Sequence, residues 1–228
     1  MKKSKRQQKR SSLVEAGKVY SLADAVKVIK QVSDNKYDET ITMSFQLGIK
    51  ADSGDENVRG TVSLPHGSGK SVRVLCFCKG EAVTAAKAAG ADHVGGEELV
   101  AKVLGGWFEF DAVVAHPDMM REVSKLGRVL GPKGLMPTPK TGGVTPQVGT
   151  AVKELKAGRV EFKSDKTGGL HAICGKISFT EQNILENAKS VVKAVRDAKP
   201  AASKGEYLKS LTMAPTQGPG LTLNLGML

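Results

Sequence analysis

Residues 125–144 read KLGRVLGPKGLMPTPKTGGV and combine five glycines with three prolines. Proline fixes φ and disfavours the α region for the residue before it, whereas glycine permits positive φ and a close approach of the backbone. The stretch is therefore predicted to be a long shaped loop, not the interior of a helix or strand. Loops of this length are usually functional or disordered, and the apolar Leu130, Leu135 and Met136 argue against disorder.

This stretch, which we call the Gly/Pro loop, carries positive charge and no acid. Its cations include Arg128, Lys133 and Lys140, and neither Asp nor Glu occurs between Val123 and Lys153. A conformationally restricted backbone that offers N–H groups beside unpaired cations is suited to binding a polyanion. A solvated basic connector is the alternative that the local sequence leaves open.

The overall composition favours the same kind of partner. The 228 residues carry a formal net charge of +11 and a pI near 9.6, which favours nucleic acid or an acidic membrane surface. Hydrophobic residues make up 40% of the chain, enough for a core in one large domain or two ordinary ones. Aromatic residues make up only 4%, which favours recognition of a folded RNA through phosphates, 2′-hydroxyls and shape over stacking on single-stranded bases.

The sequence gives no sign of a membrane span, a secretory signal or a disulfide framework. No stretch approaches the roughly 18 consecutive apolar residues of a span. Residues 1–10 carry six basic residues and no acid, and no apolar segment follows them. They are expected to form a partly disordered arm or a first helix that adds electrostatic affinity. The odd number of cysteines, three, favours a reduced, cytoplasmic protein.

The first part of the chain shows helical and then strand periodicity. Residues 21–33 are predicted to form a helix, because Ser21 and Asp24 make a capping-box pattern ahead of an apolar stripe. The period then changes to two, as in a half-buried strand. Its apolar side chains are Ile41, Met43, Phe45 and Leu47, and its polar ones are Thr40, Thr42, Ser44 and Gln46. A polar turn at 52–57 and a second strand at 58–64 are expected to follow.

Residues 71–156 alternate short apolar strands with helices. Strands are predicted at 72–78, around 93–94 and at 111–115. Helices are predicted at 81–89, through 99–104, from Pro117 and through 148–155. This alternation favours a mostly parallel, Rossmann-like sheet. Because no G-x-G-x-x-G motif is present, the layout does not imply a dinucleotide.

The last part of the chain returns to strands. They are predicted at 159–163, 170–179, 207–214 and 221–225, with an amphipathic helix through 184–195. Neither terminal part holds many elements alone, whereas together they make a small α+β domain. The sequence therefore predicts an α/β protein of two domains. One is a discontinuous, sandwich-like α+β domain with an antiparallel sheet and helices (1–67 and 159–228), and the other is an inserted Rossmann-like three-layer α/β domain (68–158).

Motifs for a nucleotide, a metal or catalysis are incomplete. Gly69-Lys70-Ser71 resembles the end of a P-loop, but Leu64 occupies the place of the first glycine and a strand is predicted next. Cys76 and Cys78 lie on one side of that strand without a nearby third ligand. The histidines are scattered, and no G-x-S-x-G elbow occurs. We therefore expect no enzyme, no cofactor and no metal.

Four stretches resemble one known family. They are ENVRGTVSLPHGSGK (56–70), AGADHVGGEEL (89–99), GRVLGPKGLMPTPKTGGV (127–144) and GRVEFKSDKTG (158–168). All are similar to segments of the ribosomal protein L-one family in its bacterial form, the protein of the mobile stalk beside the tRNA exit site. The matches are collinear and span nearly the whole chain. The resemblance implies a non-enzymatic protein of the large ribosomal subunit, with the two-domain division given above and a monomer within the ribosome.

The resemblance also implies RNA partners and contact residues. The partners are large-subunit rRNA at the stalk, the exit-site tRNA, and the protein's own messenger RNA, whose binding represses translation. The rRNA contacts are implied chiefly in the discontinuous domain, at Lys36, Tyr37, Thr40, Asp165, Lys166, Thr167, His171, Thr216, Gln217 and Gly218. Further candidate RNA contacts in the Gly/Pro loop are Arg128, Lys133 and Lys140. Hydroxyl and backbone groups can reach 2′-OH and phosphate, and lysine neutralises charge.

Some features of the sequence count against individual RNA contacts that the resemblance implies. The family pattern has methionine where this chain has Gln217, and residues 211–215 are less similar than their surroundings. The segments Lys-Thr-Gly-Gly and Gln-Gly-Pro-Gly are also ordinary turn sequences. A general basic RNA-binding protein or RNA chaperone is the alternative function, although it needs no rigid loop. A membrane-surface protein should show a basic amphipathic helix with exposed large apolar residues.

Overall fold

The computed structural model describes residues 4–15, 17–49, 57–200, 203 and 205–227, without the side chains of Lys140 and Met227. The α-helices of this part of the chain are α1 (Lys5–Ser12), α2 (Leu22–Val32), α3 (Glu81–Ala88), α4 (Glu97–Leu104), α5 (Met120–Val123), α6 (Gly127–Leu130), α7 (Val148–Ala157) and α8 (Glu181–Asp197). The strands are β1 (Val19–Tyr20), β2 (Thr40–Leu47), β3 (Arg59–Ser63), β4 (Val74–Phe77), β5 (His93–Gly95), β6 (Ala112–Ala115), β7 (Arg159–Lys163), β8 (Gly169–Lys176), β9 (Leu208–Pro215) and β10 (Leu221–Leu223). Short 3-10 turns occupy Pro117–Met119, Ser124–Leu126, Pro139–Thr141 and Leu225–Met227.

The chain packs as two compact units. We call residues 1–69 and 160–228 unit 1, and residues 70–159 unit 2. The mixed α/β class predicted from the sequence is confirmed. Within the ranges given above, no helix combines the length and the apolar character needed to cross a membrane.

Unit 1 is built on a five-stranded sheet in the order β1-β10-β9-β2-β8. The central strand β2 pairs antiparallel with both β8 and β9, and β10 pairs antiparallel with β9. At the edge, β1 runs parallel to β10. The expectation of a wholly antiparallel sheet is therefore wrong at this edge, because a two-residue strand leaves no periodic signal in the sequence. A separate two-stranded sheet joins β3 to β7.

One side of the five-stranded sheet packs against α2 and α8. The Ser21 half of the predicted capping box is confirmed, since the Asp24 N–H donates to the Ser21 hydroxyl at 3.2 Å, and that hydroxyl donates to the Asp24 carboxylate at 2.7 Å. The predicted alternation of β2 is also confirmed. Its apolar side chains are buried in the core of unit 1, whereas its polar side chains are half-buried or exposed on the opposite side.

Unit 2 contains a parallel three-stranded sheet in the order β5-β4-β6. Every residue of β4 is buried, and its side chains alternate between two cores. Leu75 and Phe77 pack with α4 and the helical turns between Met119 and Leu130. Val74 and Cys76 pack with α3 and α7. The sheet therefore has a helical layer on each side.

The prediction that the whole Gly/Pro loop lies outside helices is wrong at its start. Helical turns run from Pro117 to the end of α6. Gly127 and Gly131 take right-handed φ values of −54° and −58°. Leu126 and Leu130, which directly precede these two glycines, are completely buried. Burial of these apolar side chains outweighs the roughly 1 kcal/mol that a glycine costs in a helix.

Two expectations concern the N-terminal part of unit 1. The basic N-terminal run forms the helix α1 from Lys5 onwards, and its Arg10 is only 6% exposed. Arg10 is therefore a packed residue and not a free cation of an arm. The polar turn expected at 52–57 falls on residues that, apart from Asn57, lie outside the described part of the chain.

Candidate nucleic-acid interface

The side of the five-stranded sheet that faces away from α2 and α8 carries small polar side chains. We call this side the open face; its members include Thr42, Ser44 and Gln46 on β2, His171 on β8, and Ser210 and Thr212 on β9. Strand pairing places Ser44 opposite both His171 and Thr212. The open face is therefore mainly a strip of hydroxyl, amide and imidazole groups supported by a buried core, and the apolar Ile173, paired with Thr42 and 38% exposed, lies at its β8 edge.

One end of the open face joins the segment before β2 to the turn after β9. We call it the first end, and it contains the predicted contacts Lys36, Tyr37, Thr40, Thr216, Gln217 and Gly218. The Thr40 N–H donates to the Thr216 hydroxyl at 3.1 Å, and that hydroxyl donates to the Thr40 carbonyl at 3.1 Å. The Tyr37 hydroxyl donates to Gln217 Oε1 at 3.3 Å. Two predicted stretches that are distant in sequence are therefore in direct contact.

The other end of the open face is the turn that leads into β8. This second end contains Asp165, Lys166 and Thr167, all exposed. The Asp165 N–H donates to the Gly169 carbonyl at 2.7 Å, which closes the turn. The Gln46 amide donates to the Thr167 carbonyl at 3.0 Å, which ties the turn to β2. Because β2 has eight residues and a strand rises about 3.4 Å per residue, the two ends lie about 24 Å apart.

His171 lies between the two ends, on the exposed edge strand β8. Its Nδ1 atom is 3.0 Å from the Ser44 hydroxyl, and its Nε2 atom is 3.9 Å from the Asp165 carboxylate. The imidazole therefore links the polar row at the middle of the sheet to the second end. All ten candidate contacts of unit 1 lie along one side of one sheet or at its two ends.

Comparison with known proteins identifies the family. The model of the Ribosomal protein L1p/L10e family matches residues 29–219. The large ribosomal subunit protein uL1 of Kosmotoga olearia (strain ATCC BAA-1733 / DSM 21960 / TBF 19.5.1) is 49% identical over 223 residues, which cover 98% of this chain and 96% of that relative. The chain belongs to the Ribosomal protein L1p/L10e family.

Membership in the L1p/L10e family settles the broad biochemical class. The family membership predicted from the resemblance of four sequence stretches is confirmed. The chain is a ribosomal protein of the large subunit, from a family of structural proteins and not of enzymes.

Gly218, a predicted RNA contact at the first end, also has a role in packing within the protein. Gly218 is not among the glycines with positive φ. A Cβ added to it would overlap Cγ of Pro215 and lie 3.2 Å from its Cδ. The missing side chain of Gly218 therefore leaves room for Pro215 within the protein, and only the Gly218 backbone remains available to a partner.

The Gly/Pro loop of unit 2 presents its candidate cations in different settings. Arg128 is exposed on α6. Lys133 is also exposed, but its ammonium lies 3.1 Å from the centre of the Phe108 ring, so it is not the unpaired cation that the sequence suggested. Lys140 lies in the 3-10 turn Pro139–Thr141, and its side chain is outside the described part of the structure. With Lys125, which pairs with Glu122, the loop therefore offers three described cations on the surface of unit 2.

The cysteine pair of unit 2 belongs to the core. The Cys76 and Cys78 sulfur atoms lie 3.5 Å apart and both residues are buried. Burial raises the pKa of both thiols, which leaves them protonated and unreactive. In the described ranges, no group of three or more His, Cys, Asp or Glu side chains could hold a metal ion.

Sequence reasoning missed part of the open face. The side chains of Thr42, Ser44, Gln46 and Thr212 were not singled out as contacts, although the polar side of β2 was visible in its alternation. The sequence could show that this side is polar. It could not show that β8 and β9 extend the polar row on both sides of β2, because strand order is a long-range property.

Proposed function

We propose that unit 1 anchors the protein on folded large-subunit rRNA at the stalk, through the open face and its two ends. The observation that supports this proposal is that three separate sequence stretches, 36–40, 165–171 and 216–218, meet along one side of a single sheet. A surface about 24 Å long that offers hydroxyls, amides and lysines suits the sugar–phosphate backbone of a folded RNA.

The chemistry of this surface favours shape recognition over base stacking. Among the ten candidate contacts of unit 1, aromatic rings occur only in Tyr37, which is 52% exposed, and in His171. Threonine and serine hydroxyls can both donate to and accept from 2′-hydroxyls and phosphates. Lys36 and Lys166, one at each end, supply the electrostatic part of the affinity.

We also propose that unit 2 contacts the exit-site tRNA through the Gly/Pro loop and assists its movement and release. The protein would repress its own translation by presenting the open face to a messenger RNA site that mimics the rRNA site. The two units would then be domains, a discontinuous one at 1–67 with 159–228 and an inserted one at 68–158. The second candidate function is that of a general RNA chaperone. Such a protein would not require the two ends of the open face to be held at a fixed distance from each other.

A set of charge reversals tests the anchoring surface. Lys36→Glu and Lys166→Glu reverse one exposed charge at each end, and Lys189→Glu reverses an exposed charge on α8, on the opposite side of the sheet. All three change the net charge equally. We expect the first two to weaken binding of a stalk rRNA fragment at least tenfold and to lower the salt slope by about one unit, whereas Lys189→Glu should have only a small effect.

The binding assay is a gel shift at raised salt, with an unrelated hairpin as the second RNA. Equal losses for all three variants, on both RNAs, would support the general RNA chaperone instead.

A deletion tests the proposed domains. Because β3 and β7 are neighbours in one sheet, a short Gly/Ser linker can join residue 67 to residue 159. The excised protein should fold, as judged by cooperative thermal unfolding, and should still bind the stalk rRNA fragment. A folded product without specific binding would show that the discontinuous part is not the anchor.

A further inference from the structure

A buried arginine connects the N-terminal helix to the first end of the open face. Arg10, on α1, donates from Nε to the Asp34 carboxylate at 2.9 Å and from Nη2 to Asn35 Oδ1 at 3.1 Å. Its Nη1 donates to the backbone carbonyl of Gln217. One guanidinium thus joins three segments that are distant in sequence.

The groups that Arg10 joins stand next to the candidate RNA contacts. Asn35 directly precedes Lys36 and Tyr37, and Gln217 is itself a candidate contact. The Gln217 N–H donates to Glu39 Oε2 at 3.5 Å, and Arg10 Nη2 lies 3.8 Å from the other oxygen of the same carboxylate. The backbone of Gln217 is therefore held from both sides, by a cation at its carbonyl and by a carboxylate at its amide.

The two charged side chains of this arrangement, Arg10 and Glu39, are both buried. The side chain of Arg10 is 7% exposed and that of Glu39 is 1% exposed. A buried charge must be paired. Among the described residues, Glu39 Oε1 has no hydrogen-bond partner, so the nearby Arg10 cation is what compensates its charge. The planar guanidinium offers five donors in a fixed fork, which lysine cannot reproduce. The hydrogen bond from Arg10 also lowers the pKa of the Asp34 carboxyl, so this carboxyl stays ionised as the partner of Arg10.

We propose that Arg10 is a positioning residue for RNA recognition, which holds the segment 34–37 against the turn 216–218 so that their contacts reach one RNA together. This inference rests on the proposed function of the open face. It assigns to α1 a role in ordering the first end, in addition to the electrostatic attraction expected of a basic N-terminal run.

The chain contains a matched control one helical turn away. Arg6 also donates to Asp34, from Nε at 3.2 Å, and to Asn35. Its side chain is 45% exposed, and within the described part of the chain its hydrogen bonds go to Asp34 and Asn35 and not to Gln217. Arg6→Gln and Arg10→Gln remove the same charge from the same helix. They differ in the contact with the 216–218 turn.

The experiment compares full-length Arg10→Gln and Arg6→Gln for binding to a stalk rRNA fragment across a salt series. We expect Arg10→Gln to bind about tenfold more weakly than Arg6→Gln, because charged hydrogen bonds that order the site are lost. The slopes of log K against log salt should be equal for the two variants, since each loses one charge. Equal affinities, or a loss that vanishes at high salt, would overturn the proposal.

Asp34→Ala gives a second test. An effect of charge alone and a positioning role of Arg10 predict opposite changes in RNA affinity for this variant. Removing an exposed carboxylate beside RNA should tighten binding if only charge matters. If Asp34 holds Arg10 in place, binding should weaken instead. Should Arg10→Gln fail to fold, this variant decides the question, and tighter binding refutes the proposal.

A measurement on the free protein separates this inference from the proposed function. Arg10→Gln should raise amide hydrogen exchange at residues 216–218 without RNA, whereas Arg6→Gln should leave it unchanged. If the wild-type protein shows no specific rRNA binding but this exchange difference appears, the proposed function fails while the ordering role of Arg10 stands. If the exchange is the same in both variants, the ordering role is refuted.

Discussion

Replacing Gly218 with alanine should weaken RNA binding through a collision inside the protein, and a second substitution should relieve it. The new Cβ would overlap the ring of Pro215, the last residue of β9. Pro215 is buried, and its carbonyl accepts the Gly218 N–H at 3.4 Å. The turn must therefore shift to accommodate alanine. Pro215→Ala removes the ring atoms that the new Cβ would meet.

The magnitudes follow from the atoms involved. Overpacking of this kind costs about 2 kcal/mol. Pro215→Ala alone should also cost about 2 kcal/mol, from two lost methylene groups and a more flexible unfolded chain. If the two effects were independent, the double variant would lose about 4 kcal/mol. Because alanine at 218 fills the space that the ring vacates, we expect the double variant to lose only about 2 kcal/mol.

Urea denaturation and stalk rRNA affinity are measured for the four proteins of this cycle. We expect Gly218→Ala to bind about fivefold more weakly than wild type, and the double variant to bind as tightly as Pro215→Ala. Gln217→Met, which leaves the glycine in place, should keep wild-type stability. A double variant that regains stability but not affinity would confirm the collision with Pro215 and show that RNA also packs against residue 218, where it meets the new Cβ. Fully additive losses of stability would refute the collision.

Two further predictions concern unit 2. Replacing Lys133 and Lys140 together with alanine should reduce the salt slope of tRNA affinity by up to about two units, with an unchanged far-ultraviolet circular dichroism spectrum; an unaltered slope would favour a solvated connector. Hydrogen bonds from Lys70 and Arg73 lower the pKa of Asp111 to about 2, so its carboxylate stabilises the fold above its unfolded pKa of about 4, and this contribution is lost as the pH falls through about 2. Asp111→Asn should therefore lower the melting temperature at pH 7 but hardly at pH 2, and a difference that does not depend on pH would contradict this assignment.

Local periodicity predicted those elements whose own residues carry the signal. The helix α2 shows both a cap and an apolar stripe, and β2 shows four alternating apolar residues, so both could be placed from the sequence. The strand β1 has two residues and pairs with β10 near the other end of the chain. No local pattern can reveal such a strand, because its existence depends on a neighbour that is about two hundred positions away.

The error in the Gly/Pro loop has an identifiable physical cause. The glycines and prolines of 125–144 predict a loop throughout this stretch. Val123, Leu126 and Leu130 nevertheless recur at helical spacing and are all buried. This apolar stripe predicts a helix, against the loop predicted by glycine and proline. Burial of the stripe in the core stabilises the helical turns. The proline-rich segment after Gly131 ends these helical turns. A short 3-10 turn begins again at Pro139.

The candidate contact residues could be proposed only through the family resemblance, and the groups that hold them could not be predicted at all. Lys36 and Gln217 are exposed, and nothing in their local sequence connects them. Arg10 lies in a run of basic residues that composition alone describes as a charged arm. Its burial depends on Asp34 and Glu39 folding over it, which only the three-dimensional structure reveals.

This arrangement also explains why the fold can accept different side chains at position 217, such as glutamine or the methionine that the resemblance implies. The turn is held through the backbone of Gln217, whose carbonyl accepts from Arg10 and whose amide donates to Glu39. The side chain is exposed, and its Oε1 accepts from the Tyr37 hydroxyl at 3.3 Å. An exposed hydrogen bond of this length contributes little to stability. The position of residue 217 is therefore set by its backbone, and its side chain can change the chemistry offered to RNA without changing the turn.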